Sequence, residues 1–196
     1  MVLRGVGEIL AGAAAFLLVG LSDWAALRGH KALRSIAVAI SAVLLCAAFV
    51  GLSVGGVRFV VPVSLRIAAG VLCLPFVGLL VLSVLIEPTW AAGHTPPFPP
   101  LYTRGTYALV RHPGVHWFFF VHSLLALAMA SWSLAIAVPC WTGANLALSL
   151  VQDRVLFPRI FGPAYTGYRR EAPFLIPTRR SLRACCSTLT ITRRVP

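Results

Sequence analysis

Five long apolar segments constrain this chain more than any other feature of its sequence. Each is close to the length that an α-helix needs to cross a hydrocarbon core of about 30 Å. They are Ile9–Leu27, Ser35–Val54, Ile67–Ile86, Gly114–Ala130 and Leu134–Val151. Because so few residues separate the last two, we expect them to form an antiparallel hairpin. The sequence therefore predicts an all-α, polytopic membrane protein with about five transmembrane helices and a C-terminal helical hairpin.

The charge distribution supports a bilayer as the solvent and predicts an orientation. Hydrophobic residues make up 59% of the chain and charged residues 11%, whereas a soluble domain carries about 25% charged residues. With five spans, three of the 17 Lys and Arg residues fall on one side and fourteen on the other. The positive-inside rule then places the N-terminus outside and the C-terminus in the cytoplasm.

The basic excess also bears on partners and source. The formal net charge is +12, but the basic residues lie between and after the apolar segments rather than in one patch, so no nucleic-acid partner is expected. Membrane lipids are the expected partner instead. The 16 arginines against one lysine are typical of GC-rich bacterial coding, which favours a bacterial inner membrane.

Two polar-rich segments, 87–114 and 152–183, fall on the same predicted cytoplasmic face. The first has five prolines between Pro88 and Pro100, which indicates a stiff, non-helical approach to the next helix. In the second, aromatic residues recur every three or four positions with arginines between them. This pattern predicts an amphipathic stretch on the lipid interface. Its aromatic residues are Phe157, Phe161, Tyr165 and Tyr168.

The predicted domain organisation is simple. Residues 1–180 form one transmembrane domain whose functional half is 87–178, and 181–196 form a basic tail that is predicted to be disordered. The tail contains the neighbouring Cys185 and Cys186. Since the chain has no C-x-x-C and an odd number of cysteines, all five are predicted to be reduced.

The stretch "GTYALVRHPGV", Gly105 to Val115, concentrates polar and special residues at the mouth of the fourth apolar segment. Proline is favoured in the first turn of a helix, so Pro113 predicts a helix start. The free N–H groups that follow can bind an anion, and Arg111 can fork onto a carboxylate. His112 and His116 have helical spacing but no third ligand, so no metal site is predicted.

The last apolar segment carries a polar stripe. Its members are spaced as one face of a 3.6-residue helix that runs towards the predicted cytoplasmic side. They are Thr142, Asn145, Ser149, Gln152 and Asp153. Polar groups in a span are costly unless they face a cavity or a partner helix. The stripe therefore indicates either a site shared with Arg111 and His112 or hydrogen bonding within the hairpin.

These residues resemble a known family. "LYTRGTYALVRHPGV" and, after the hairpin, "QDRVLFPRIFGPAYTGYRREAPFLIP" are similar to two motifs of the isoprenylcysteine carboxyl methyltransferase and phospholipid methyltransferase superfamily. The first motif is G-x-Y-x-x-x-R-H-P-x-Y, and the second is acidic and ends F-G-x-x-Y-x-x-Y before a proline. The resemblance covers about the last half of the chain.

The resemblance implies an integral membrane methyltransferase that uses S-adenosylmethionine and acts on a lipid-like or hydrophobic acceptor, by carboxylate O-methylation or amine N-methylation. It also implies the cofactor site. The implied cofactor-binding residues are Pro100, Leu101, Tyr102, Tyr107, His112, Pro113, Gly114, Val115 and Asp153. Arg111 and His112 are the expected catalytic residues, with Asn145 and Ser149 on the acceptor side.

Three departures from the motifs bear on which substrate is expected. Val115 replaces a tyrosine, Gln152-Asp153 replaces an acidic pair, and Ser149 stands where prenylcysteine enzymes have an arginine. A prenylcysteine substrate is therefore not expected. Two other classes remain open: a nicotinamide-dependent membrane reductase of the sterol type, and a divergent, non-catalytic membrane protein of the same fold.

Overall fold

In the computed structural model, which describes residues 2–55, 57–90 and 101–189, every regular element is a helix. The N-terminal half contains three long helices: α1 (Val2–Leu27), α2 (Lys31–Gly55) and α3 (Val63–Val81). Helix α3 continues through a π-helical turn, Leu82–Ile86, into the short α4 (Glu87–Trp90).

The C-terminal half has two apolar helices followed by shorter ones. The short α5 (Thr106–Leu109) precedes α6 (Pro113–Ala128), and α7 (Trp132–Val151) continues through a second π-helical turn, Gln152–Leu156, into α8 (Phe157–Phe161). Helices α9 (Pro163–Glu171) and α10 (Arg179–Thr188) complete the described chain.

Four helices in the described residues are long and apolar enough to cross a membrane. They are Gly5–Leu27, Lys31–Gly55, Val63–Ile86 and Trp132–Phe161. The fourth predicted span is the 16-residue helix α6, which is about 24 Å long at 1.5 Å per residue. That is shorter than a hydrocarbon core of about 30 Å. The fold is that of a multi-pass helical membrane protein.

The outward faces of the long helices agree with this class. Leu17, Val54 and Leu74 are 77%, 78% and 68% exposed. A soluble monomer rarely exposes contiguous apolar surface of this extent. Side chains of this kind are stable at the surface when lipid surrounds them.

The core lies where α1, α2, α6 and α7 meet. Helix α1 packs against α2 and α7, whereas α3 packs mainly against α6. Trp141 of α7 is fully buried and donates from Nε1 to the carbonyl oxygen of Ile9, 2.9 Å away. The Trp141 ring occupies the space that a side chain at Gly12 would need, so glycine permits this close contact between α1 and α7.

One end of the bundle joins the α2–α3 loop to the α6–α7 turn. Arg58 pairs with Ser131 in an isolated antiparallel bridge, and Arg58 Nη1 donates to the Met129 carbonyl oxygen at 2.9 Å. Arg66 Nε donates to the Ala128 carbonyl oxygen at the same distance. We call this end of the bundle the loop end; Arg58 and Arg66 both donate to backbone carbonyl oxygens there.

The described parts of the two polar segments, 87–90 with 101–114 and 152–183, meet at the opposite end of the bundle, as the sequence predicts. We call this the site end. The prediction that the aromatic side chains of the second segment face lipid is wrong for two of them: Tyr165 and Tyr168 are buried, together with Ala172, against Tyr107 and Phe157. Their hydroxyls have acceptors inside the protein, which makes burial favourable.

The predicted disordered tail is likewise partly wrong. Residues 179–188 form helix α10, whose N-terminus has a reciprocal capping box between Thr178 and Ser181. The two side-chain hydrogen bonds of such a box satisfy backbone donors that would otherwise be unpaired. Residues 190–196 lie outside the described residues.

Candidate functional site

A buried ion pair between Arg111 and Asp153 forms the centre of the site end. Arg111 Nε lies 2.7 Å from Asp153 Oδ1, and Nη2 lies 3.2 Å from Oδ2. The two side chains are only 9% and 5% exposed. This fork joins the start of α6 to the end of α7 across 42 positions of sequence.

The remaining hydrogen bonds of the pair connect it to the C-terminal segment that contains α9. Arg111 Nη1 donates to the carbonyl oxygens of Ala172 at 2.6 Å and Arg169 at 3.2 Å. Asp153 Oδ1 also accepts from the Tyr165 hydroxyl at 2.6 Å. A guanidinium has five N–H donors, and these contacts use four of them. Both charges are thus largely satisfied by protein groups.

The turn before α6 is held by a second buried carboxylate. Glu87 accepts hydrogen bonds from the backbone N–H of Thr106 at 2.8 Å and from the Thr106 hydroxyl. Burial raises the pKa of Glu87 against these hydrogen bonds, which lower it. Gly105 has a φ of +58°, and a side chain there would collide with Glu87 Oε1. Glycine is therefore required in this turn.

Tyr107 connects that turn to the neighbouring elements. Its hydroxyl donates to the Ser83 carbonyl oxygen at 2.9 Å, and its own carbonyl oxygen accepts from the Tyr168 hydroxyl at 2.7 Å. Burial, the larger cause, and the nearby Glu87 carboxylate raise the pKa of Tyr107 far above its ordinary value. The phenol therefore stays protonated and remains a donor.

Both π-helical turns of the described chain lie at the site end. The first contains Ser83, the acceptor for Tyr107, and the second contains Gln152 and Asp153. Single π-helical turns within α-helices occur frequently at functional sites. Their coincidence here distinguishes this end of the bundle from the other.

His112 is the N-cap residue of α6, and Pro113 opens the helix as predicted. The imidazole is 7% exposed and stacks on Phe157, with 5.8 Å between ring centroids. Burial lowers the pKa of His112 to about 4, although Asp153 acts in the opposite direction. Its Nε2 is buried without a hydrogen-bond partner and lies 3.8 Å from Asp153 Oδ1. At neutral pH, His112 is thus an uncharged imidazole whose Nε2 faces the Asp153 carboxylate.

A cavity of about 490 Å³ lies beside His112, within the range of about 300–1,000 Å³ that small-molecule sites occupy. Most of its lining is apolar and comes from α1, α2, α3 and α6. Its polar lining comes from the stretch before α6, and from the polar stripe of α7 with the π-helical turn that follows it. The polar lining residues are Tyr107, Arg111, His112, Asn145, Ser149 and Gln152.

The cavity contains many of the sequence-predicted residues but not all. Tyr107, His112, Pro113, Gly114, Val115, Asn145 and Ser149 line it. Leu101 and Tyr102 do not; Leu101 packs against the buried tyrosines, and the Tyr102 ring meets that of Tyr107 edge-on. Asp153 lies behind Arg111 rather than in the lining. Pro100 lies outside the described residues.

Sequence reasoning missed the contribution of the first three helices. Asp23, near the end of α1, accepts a hydrogen bond from Gln152 Nε2 at 2.7 Å, which orients an amide that lines the cavity. Phe16 and Val19 of α1 and Leu80 of α3 line the apolar part. The spacing of Phe16, Val19 and Asp23 along one helical face was the available signal.

Comparisons with known proteins identified no relative of this chain. No protein-family model matches the chain, and neither a curated protein nor a solved structure matches it. Within the described residues, no group of three or more His, Cys, Asp or Glu side chains is placed to hold a metal ion. The fold and the site therefore define a multi-pass helical membrane protein with a largely apolar cavity and a polar rim at one end.

Proposed function

We propose that this chain is an integral membrane S-adenosylmethionine-dependent methyltransferase that acts on a lipid-like acceptor, of the type its two motifs resemble. One observation carries the proposal. Tyr107 and Arg111 to Val115 of the first motif and Gln152 and Phe157 of the second motif line one cavity, together with Asn145 and Ser149 of the intervening helix α7. A chain that had retained these motifs only for packing would not need to leave such a space between them.

The cavity fits an amphiphilic cofactor. Tyr107, Gly114, Asn145, Ser149 and Gln152 would hold it, because together they offer hydroxyl and amide groups and a position without a side chain. The cofactor, when bound, supplies an electrophilic methyl group. Because methyl transfer needs alignment more than acid–base chemistry, a positioned and water-excluding pocket is its main requirement.

The Arg111–Asp153 pair suits a positioning role. Since four of the five Arg111 donors are used within the protein, one N–H remains for a ligand carboxylate. Asp153 holds Arg111 in place, and Tyr165 holds Asp153. We therefore assign direct cofactor contact to Arg111 rather than to Asp153, which acts through it.

His112 can accept a proton, which matters for one class of methyl acceptor. A protonated amine must lose its proton before its nitrogen lone pair can attack a methyl group, and the uncharged imidazole of His112 can accept that proton. A carboxylate acceptor is already a nucleophile at neutral pH and needs no such step. The acceptor class thus predicts whether His112→Gln lowers turnover.

Lipid-like acceptors are favoured by the outer wall of the cavity. Val81, Val84 and Leu85 line the cavity, and they are also 39%, 51% and 62% exposed. In a bilayer such exposed apolar side chains contact acyl chains. An acceptor with a hydrocarbon tail would therefore reach the cavity sideways from the membrane.

We also propose the orientation. Five crossings, with α6 as the short one, place the N-terminus outside and the site end in the cytoplasm of a bacterial inner membrane. The 20 residues of α7 up to Val151 span about 30 Å. Gln152 and Asp153 would then lie at the cytoplasmic edge of the hydrocarbon core, where a water-soluble cofactor has access.

The test is calorimetric titration of the detergent-purified protein with S-adenosylhomocysteine. Ser149→Leu places a larger side chain in the cavity lining, whereas Ala147→Leu adds the same bulk on an exposed position of the same helix. We expect the wild type and Ala147→Leu to bind and Ser149→Leu to lose binding. Absence of binding by the wild type would refute the proposal, and tight binding of a reduced nicotinamide instead would favour the reductase class.

A further inference from the structure

Helix α10 has two different faces, although the sequence predicted disorder there. Ser181 and Cys185 are buried, and Ala184 and Thr188 are half-buried. This face packs against α5. Thr188 Oγ1 accepts a hydrogen bond from the backbone N–H of Gly105 at 3.0 Å. Helix α10 therefore belongs to the folded site end.

A second face of α10 is apolar and exposed. Leu182, Cys186 and Leu189 have the spacing i, i+4 and i+7, which places them within about 60° of one another on a helix of 3.6 residues per turn. Leu182 is 48% exposed and Leu189 is 38% exposed. On the same geometry Arg179 and Arg183 flank this apolar strip on the side away from the buried face. The order around the helix is protein, apolar strip, arginines.

The position of α10 is close to the membrane boundary. Gly105, which binds Thr188, is followed by Thr106, and Thr106 binds Glu87. Glu87 follows Ile86, the last residue of a candidate span. A short chain of hydrogen bonds thus connects the C-terminal end of α10 to the point where α3 leaves the hydrocarbon core.

We propose that the apolar strip of α10, together with Arg179 and Arg183, docks on the headgroup region of an anionic lipid surface. An interfacial helix buries its apolar side chains at the boundary of headgroups and acyl chains, while flanking arginines contact anionic headgroups. The strip carries no carboxylate, and the nearest charges along the helix are all positive. An anionic bilayer complements both features. The proposal does not depend on the cofactor or on methyl transfer.

The experiment measures hydrogen–deuterium exchange of the full-length protein in lipid nanodiscs. One set contains only phosphatidylcholine, and the other contains one third phosphatidylglycerol. We expect amides of residues 180–189 to exchange several-fold more slowly in the anionic discs. In about 1 M salt, where the Debye length falls to about 3 Å, this difference should shrink. Equal exchange in the two lipids would overturn the proposal.

Matched charge variants sharpen the test. Arg179→Gln with Arg183→Gln removes two charges beside the strip, and Arg154→Gln with Arg159→Gln removes two exposed charges elsewhere at the site end. All four side chains are exposed, so neither double variant should impair folding. Only the first should lose the lipid-dependent protection. Equal loss in both would mean that overall charge, and not α10, senses the lipid, which also overturns the proposal.

A second readout detects the apolar strip directly. Cys186 is exposed and can carry a bimane label when the exposed Cys46 and Cys140 are replaced by serine. Lipids brominated near the headgroup should quench this label, and Leu182→Ser with Leu189→Ser should relieve the quenching. A label that is not quenched in anionic discs would show that the strip faces water or another protein.

Discussion

The two ends of the helical bundle are held together by different kinds of contact. At the loop end, Arg58 and Arg66 donate to backbone carbonyl oxygens, and two chain segments pair through their main chains. At the site end, Arg111 forks onto the carboxylate of Asp153, with the Tyr165 hydroxyl on the same carboxylate. In the first arrangement the acceptors are backbone carbonyl oxygens, whereas in the second the central acceptor is the carboxylate of one particular side chain.

This difference predicts where the chain can tolerate amino-acid substitutions. A side-chain network around buried charges is costly to disturb, because removing one partner leaves the other unsatisfied at low dielectric. A backbone pairing survives most substitutions, because every residue but proline has the same donor and acceptor. The site end therefore depends on one specific arrangement of side chains.

The largest expected effect comes from breaking the central pair. Asp153→Ala leaves the Arg111 guanidinium buried without its carboxylate, which should lower the free energy of unfolding by about 3–5 kcal/mol. Denaturation in mixed micelles, followed by circular dichroism, measures this. The double variant Asp153→Ala with Arg111→Ala should lose less than the two single losses combined. An additive loss would show that the two charges are not coupled.

The next effect is a pH dependence at His112. The ordinary pKa of histidine is about 6.5, and burial lowers that of His112 to about 4. Between these values the unfolded chain binds a proton that the folded chain does not, so stability falls as the pH is lowered through this window. The full effect is roughly 3 kcal/mol. Unfolding curves at pH 7 and below pH 5 should differ less in His112→Gln; an identical pH dependence would rule out the buried neutral imidazole.

The tyrosine hydroxyls of α9 give a smaller and internally controlled comparison. The Tyr165 hydroxyl donates to a carboxylate, and the Tyr168 hydroxyl donates to a backbone carbonyl oxygen. Tyr165→Phe should cost about 1.5–3 kcal/mol and Tyr168→Phe about 0.5–1.5 kcal/mol, because hydrogen bonds to charged groups are stronger. If the order of the two losses is reversed, the carboxylate is not the stronger acceptor at this end.

The smallest effect is expected at the loop end. Arg58 is exposed and its hydrogen bond to the Met129 carbonyl oxygen competes with water. Arg58→Ala should therefore change the free energy of unfolding by no more than about 0.5 kcal/mol. A loss comparable with that of Asp153→Ala would remove the contrast between the two ends.

The long helices could be predicted closely because lipid exposure imposes a simple apolar pattern. The predicted Ser35–Val54 and Ile67–Ile86 correspond to helices Lys31–Gly55 and Val63–Ile86. The start of α6 at Pro113 was predictable from local backbone chemistry. Asn145 and Ser149 were placed on one face by their spacing, and both line the cavity.

The contacts between distant residues could not be predicted in the same way. Nothing in the sequence indicates that Arg111 and Asp153 bind each other rather than a ligand, because either partner satisfies the same chemistry. Asp23 lies 129 positions from Gln152, and its role depends on how α1 packs against α7. Helix α10, in contrast, could have been predicted, because Thr178 and Ser181 at capping-box spacing are a local signal for a helix start.

The π-helical turn at Gln152–Leu156 has a consequence for the spatial order of the residues around it. A π turn closes its hydrogen bond from residue i to i+5, so it accommodates one residue more than an α turn. Each residue of an α-helix advances the chain by about 100° around its axis. The direction in which the Asp153 carboxylate points consequently depends on the number of residues before it in this turn. One residue fewer would rotate it by about 100° around the helix axis, away from Arg111, although both residues of the pair would be unchanged.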